Sequence, residues 1–66
     1  MKYKRGDLYT NEDGDTLRID AIGEVYIKFS TILHTSNGKL YKHEGLPGSV
    51  DFIIREWDYE FEGNYT

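Results

Sequence analysis

The chain contains no cysteine. Neither a disulfide framework nor a thiolate zinc site is open to it, so its own apolar side chains must hold it together. Proline occurs once, at Pro47, which leaves backbone donors available almost everywhere for a ladder or a helix. No apolar run approaches the roughly 20 residues that a membrane-crossing helix needs. The opening residues Met1-Lys2-Tyr3-Lys4-Arg5-Gly6 lead into polar sequence where a signal peptide would place an apolar stretch. The expectation is a protein of the cytoplasm with no membrane contact. Neither Gly-x-Gly-x-x-Gly nor Gly-x-x-x-x-Gly-Lys occurs, and no serine sits in a nucleophile elbow. With only the two histidines His34 and His43, no triad can be argued from spacing. These absences speak against nucleotide binding and catalysis; no enzyme activity, no cofactor and no metal are expected.

Twelve acidic against eight basic side chains give a net charge of −4. Such a balance opposes sequence-independent attraction to nucleic acid or to anionic membranes, and points to a protein partner with a basic surface. Aromatic residues make up 15% of the chain, six of them tyrosines, which is rich for an acidic disordered segment and indicates a folded one. A chain of 66 residues builds one core, so residues 1–66 are read as a single domain, monomeric or paired with a copy of itself.

Turn chemistry and alternation mark strands. Asn11-Glu12-Asp13-Gly14 separates Asp7-Leu8-Tyr9-Thr10 from Asp15-Thr16-Leu17-Arg18-Ile19-Asp20, a first hairpin. A β-branched and aromatic run from Val25 to Thr35 follows, with Val25, Ile27, Phe29 and Leu33 on one parity. Asn37-Gly38 suits a two-residue type I′ loop, which would pair Ser36 with Lys39, Thr35 with Leu40 and His34 with Tyr41. That register places Leu40 on the Leu33 face, and gathers Tyr26, Lys28, Ser30, Ile32, His34, Tyr41 and His43 on the other. The expected interior is Leu17, Ile19, Val25, Ile27, Phe29, Leu33 and Leu40.

Gly45-Leu46-Pro47-Gly48 ends the fourth strand. Val50, Ile53, Ile54 and Trp57 then recur at helical spacing, with Ser49 as a candidate N-cap and Asp51 in the first turn. A two-turn helix over 49–57 fits, although Phe52, Ile53 and Ile54 also suit a strand. Asp58-Tyr59-Glu60-Phe61-Glu62 alternates as a half-buried last strand, and residues 63–66 are expected to fray. The resulting class is mainly β: a small five-stranded barrel or rolled antiparallel sheet with one short helix before the last strand.

This element order resembles the SH3-like barrel family over residues 3 to 62. Lys4-Arg5-Gly6-Asp7-Leu8-Tyr9, the Asp-Gly turn and the late Trp57-Asp58-Tyr59 also look like small accessory proteins of bacteriophages and prophages. The resemblance implies an inhibitor or adaptor acting in a host cell's cytoplasm. The chain departs from peptide-binding SH3 domains, because no acidic loop stands opposite paired aromatics and a downstream proline, which speaks against polyproline ligands.

Several constellations carry chemistry in principle. His34 and His43 suggest a metal or acid–base pair, yet cross-strand stacking against Tyr41 explains them without a ligand. Asn11-Glu12-Asp13-Gly14-Asp15 is oxygen-rich but lacks the spacing and closing glutamate of a calcium loop. Lysines beside Tyr26 and Tyr41 could hold single-stranded nucleic acid by stacking and charge, a role that the net charge opposes. More informative is the acidic row of Glu56, Asp58, Glu60 and Glu62, projecting at roughly 7 Å intervals like a line of phosphates. The candidate partner-binding residues are these four together with Tyr26, Tyr41 and Tyr59.

Overall fold

A computed structural model describes residues 2–66. The strands are β1 (Asp7–Thr10), β2 (Thr16–Ile22), β3 (Ile27–Ile32), β4 (Leu40–Gly45) and β5 (Glu60–Asn64), with helix α1 (Pro47–Glu56) between the last two. They form one five-stranded antiparallel sheet in the order β4-β3-β2-β1-β5. The sheet does not close into a barrel, because its outer strands β4 and β5 do not pair. They are joined by α1, which leaves β4 after a single residue and crosses one face of the sheet. A helix of this length covers about 15 Å, comparable with the span of a five-stranded sheet at about 4.8 Å per step. The helix thus closes over the face that barrel closure would have enclosed.

Three of the four helically spaced residues behave as the spacing predicts, with Val50 fully buried and Ile53 and Ile54 packed beside it, whereas Trp57 falls at the C-cap, beyond the last helical residue, and is exposed. The cap differs. Pro47 opens the helix with Leu46 at the N-cap position, so Ser49 lies inside the first turn and caps nothing. Proline's fixed φ suits this first position, where its missing donor costs nothing.

Beneath the helix lie Leu17, Ile19, Ile27 and Phe29, as expected, and also Tyr3 and Tyr59. Val25 and Leu40 are corrections. Gly23 donates to the Tyr26 carbonyl at 2.9 Å, so residues 23–26 make a turn and Val25 is 57% exposed. Leu40 pairs with Ile32 and is 40% exposed, while Leu33 is only half-buried.

The β3–β4 register explains Leu40. Asn37 and Gly38 do take positive φ (54° and 76°), but a 3-10 turn over His34–Ser36 precedes them and β3 ends at Ile32. Leu40 therefore faces Ile32 and not Thr35, an odd slip that exchanges the two faces of β4. Tyr41 and His43 move to the core side, opposite Thr31 and Phe29, and leave Lys28 and Lys42 exposed on the other face beside the buried Ser30. His43 stacks on Phe29 with ring centroids 4.9 Å apart, in place of the expected His34–Tyr41 pair.

Residues 63–66 are docked. β5 continues to Asn64, whose side-chain amide donates to the Arg5 carbonyl and to buried Asp7, and Tyr65 donates its backbone N–H to Gly6. In the stretch that precedes β1, Tyr3 donates its hydroxyl to Asp51 on the helix, and Lys2 pairs with the same carboxylate at 3.1 Å. Burial, reinforced by the bond to Asp51, pushes the Tyr3 phenol well above its ordinary range. The same bond, with help from Lys2, holds Asp51 below the usual carboxylate range.

Candidate functional site

Helix α1 ends before it has covered the whole sheet face. Trp57 donates to the Ile53 carbonyl, Asp58 takes φ 54°, Asp58 donates to Arg55 and Tyr59 donates to Ile54 at 2.9 Å. This is a Schellman termination with aspartate at the left-handed position where glycine is the usual occupant. The reversal turns Tyr59 back under Ile54 and into the core, and leaves the Trp57 ring 57% exposed.

A groove of about 490 Å³ opens beside this helix end. Leu33, Ile53, Trp57 and Tyr59 give it apolar walls, Thr31 and His43 form its floor on the sheet, and Asp13, Asp15 and His34 line its rim. No lysine or arginine is among the lining residues. The rim is set by hydrogen bonds. Asp15 Oδ1 accepts the His34 backbone N–H at 2.8 Å, and its own N–H donates to Asn11 Oδ1 at 3.0 Å. Asn11 Nδ2 donates to the Trp57 carbonyl at 3.0 Å, which ties the first hairpin loop to the helix end. His43 Nε2 and Thr31 Oγ1 are bonded at 2.8 Å. Burial and then the charge of Asp15 push the Tyr59 phenol up to about 12, so it stays neutral at physiological pH.

Next to the groove lies a polar cleft of about 470 Å³ lined by Thr10, Asn11, Glu12, Asp58 and Glu60. The ion pairs among the described residues join Lys2 to Asp51 and Arg18 to Asp20, so none of the carboxylates around the cleft has a cationic partner. Among the described residues, no group of three or more His, Asp or Glu is arranged to hold a metal ion. No helix among them is long and apolar enough to cross a membrane.

The expected site residues do not form one surface. The row is broken: Glu56 closes the helix, Asp58 sits in the turn, and only Glu60 and Glu62 lie on β5. Glu62 accepts a bond from Thr10 Oγ1 at 3.0 Å. Tyr59 is 7% exposed, so it is a core residue with one edge in the groove and not an exposed anchor. Tyr26 occupies the turn between β2 and β3, at the opposite end of the sheet from Asp58 and Glu60. Tyr41 is half-buried on β4, its hydroxyl donating to Ser36 and Lys39 over its ring.

What the structure brings together instead is Glu12, Asp13 and Asp15 from the first loop with Trp57, Asp58 and Glu60 from the helix end and β5. The carboxylates of the loop were visible in the sequence as an oxygen-rich turn; their meeting with residue 57 depends on Asn11, whose role no local pattern announces. Comparison with protein-family models, with curated proteins and with solved structures finds no match to this chain.

Proposed function

We propose that this chain is a non-enzymatic binding protein that docks a basic protein surface on its acidic end, the cleft formed by Glu12, Asp58 and Glu60 beside the Trp57 groove. The observation that carries this reading is Asp58. A non-glycine residue in the left-handed region costs on the order of 1 kcal/mol, and here it adds charge to a cleft whose other carboxylates already lack counter-ions. Local stability alone would favour glycine, which is the kind of broken rule that a binding surface accounts for. The exposed Trp57 next to it supplies the aromatic area that interface anchors commonly provide.

In this reading the chain acts in the cytoplasm as an inhibitor or adaptor of the kind that small bacteriophage proteins supply, and the SH3-like likeness rests on a last strand that pairs with the first after a short helix. The alternative of a nucleic-acid module on a tyrosine and lysine face loses support, because the register carries Tyr41 to the side opposite Lys28 and leaves Lys39 as the lysine over its ring.

Affinity capture from a bacterial lysate tests the proposal with three baits: the unaltered chain, Glu12→Lys/Glu60→Lys, and Lys28→Glu/Lys42→Glu on the other sheet face. The first double variant is expected to lose a partner that the second retains, and added salt to weaken its capture. The same partners on all three baits would overturn it.

A further inference from the structure

We propose that the groove between the end of α1 and the β3–β4 loop receives an arginine side chain of the partner; this rests on the reading of the acidic end as the docking surface and names what enters beside it. The groove is apolar along its walls and anionic at its rim, with Leu33, Ile53 and Trp57 on one hand and Asp13 and Asp15 on the other. A purely apolar side chain would leave two carboxylates facing it without a counter-ion. A compact anion would meet two negative charges and no lysine or arginine among the lining residues. A long cationic side chain satisfies both parts, laying its methylene stem on the apolar wall and its charge at the rim.

Arginine fits better than lysine for two reasons. Its guanidinium is planar and weakly hydrated, so it stacks on an exposed indole such as Trp57 with little desolvation cost. It also carries five donors in a fixed fork, and the rim offers two carboxylates to receive them. Asp15 is held in place before any ligand arrives, since the His34 N–H and Asn11 Nδ2 fix it at 2.8 Å and 3.4 Å. Each of its oxygens keeps a further lone pair for the ligand. Such a preorganised acceptor costs little to order on binding.

The probe is N-acetyl-arginine amide, titrated into the isotopically labelled protein and followed by the Trp57 indole N–H and the backbone amides of residues 33–35. N-acetyl-citrulline amide, which has the same shape without the charge, serves as the comparison. Saturable shifts in the groove are expected for arginine, at least about tenfold weaker for citrulline. Asp13→Asn and Trp57→Leu should each weaken the arginine response by about tenfold. Both positions are exposed, and preserved amide dispersion in each variant shows that the fold is intact. Equal response to citrulline, no saturable shift in the groove, or an arginine response unchanged in both variants would overturn the inference. If arginine fails in this way while Glu12→Lys/Glu60→Lys still abolishes capture, the docking surface stands and only its arginine pocket falls. If arginine binds the groove as expected while capture ignores the acidic end, the pocket stands and the docking reading falls.

Discussion

The two halves of the helix-covered sheet face meet very different surroundings, although the same strands run through both. Toward the start of α1, Val50 seals Ile19, Ile27 and Phe29, and Tyr3 is locked down by its bond to Asp51. Toward its end, the chain reverses at Asp58, and Thr31, Leu33 and His43 face a groove. One half is built from side chains that lose water on folding; the other keeps an indole and two carboxylates in contact with it. In a chain of this length the core is small, so the first half must supply most of the stability, which leaves the second free to carry charges that stability would not select.

The division predicts unequal responses. Val50→Ala empties the centre of the sealed half and should lower the unfolding free energy by about 2–4 kcal/mol, read from urea denaturation at unchanged slope. A loss within about 0.5 kcal/mol would mean that the helix contributes no core.

Alkaline pH strikes the same core through Tyr59. Its folded pKa lies above its ordinary value of 10.0, at about 12, so the folded state favours the neutral phenol. That contribution is complete below the unfolded value and is lost as pH rises from about 10 through about 12, on the order of 2 kcal/mol. Denaturation midpoints measured along this range should fall, and Tyr59→Phe should flatten the decline. A midpoint that stays level to the upper end would place Tyr59 in water.

Asp58→Gly addresses the open half. Glycine relieves the positive φ, so thermal unfolding should shift upward by about 0.5–1 kcal/mol of added stability while capture of a basic partner weakens. A stability gain with no loss of capture would remove Asp58 from the binding surface.

The sealed half was largely legible in the sequence. Leu17, Ile19, Ile27 and Phe29 follow strand parity, and Val50, Ile53 and Ile54 follow helical spacing, because burial on one face imposes those periods directly. The open half was not. Asn37-Gly38 adopts the backbone angles its chemistry favours, yet the loop is longer, because the Asp15 carboxylate captures the His34 N–H and the chain leaves the ladder after Ile32. A bond between residues far apart in the chain thus outcompeted a local turn preference, and the odd slip carried Tyr41 and His43 to the other face. Tyr59 misled for a similar reason: alternation placed it correctly with Phe61, but the left-handed Asp58 aims it inward beneath the helix, whereas Phe61 on the edge strand is 59% exposed. Tyr3 carried no periodic signal, since the segment before β1 is irregular, and its ring is buried by packing on Tyr9 and the core while its hydroxyl bonds to the helix.

Trp57 is the only tryptophan, and it stands where the open half meets the acidic rim, so its fluorescence reports directly on the central contrast. Quenching of the native protein at low ionic strength should be efficient, and the ratio of caesium to iodide quenching should exceed that of N-acetyl-tryptophan amide under the same conditions, because the neighbouring carboxylates concentrate cations and repel anions. Weak quenching by both ions, or a caesium-to-iodide ratio no higher than that of N-acetyl-tryptophan amide, would contradict an open, negatively charged groove at the end of the helix.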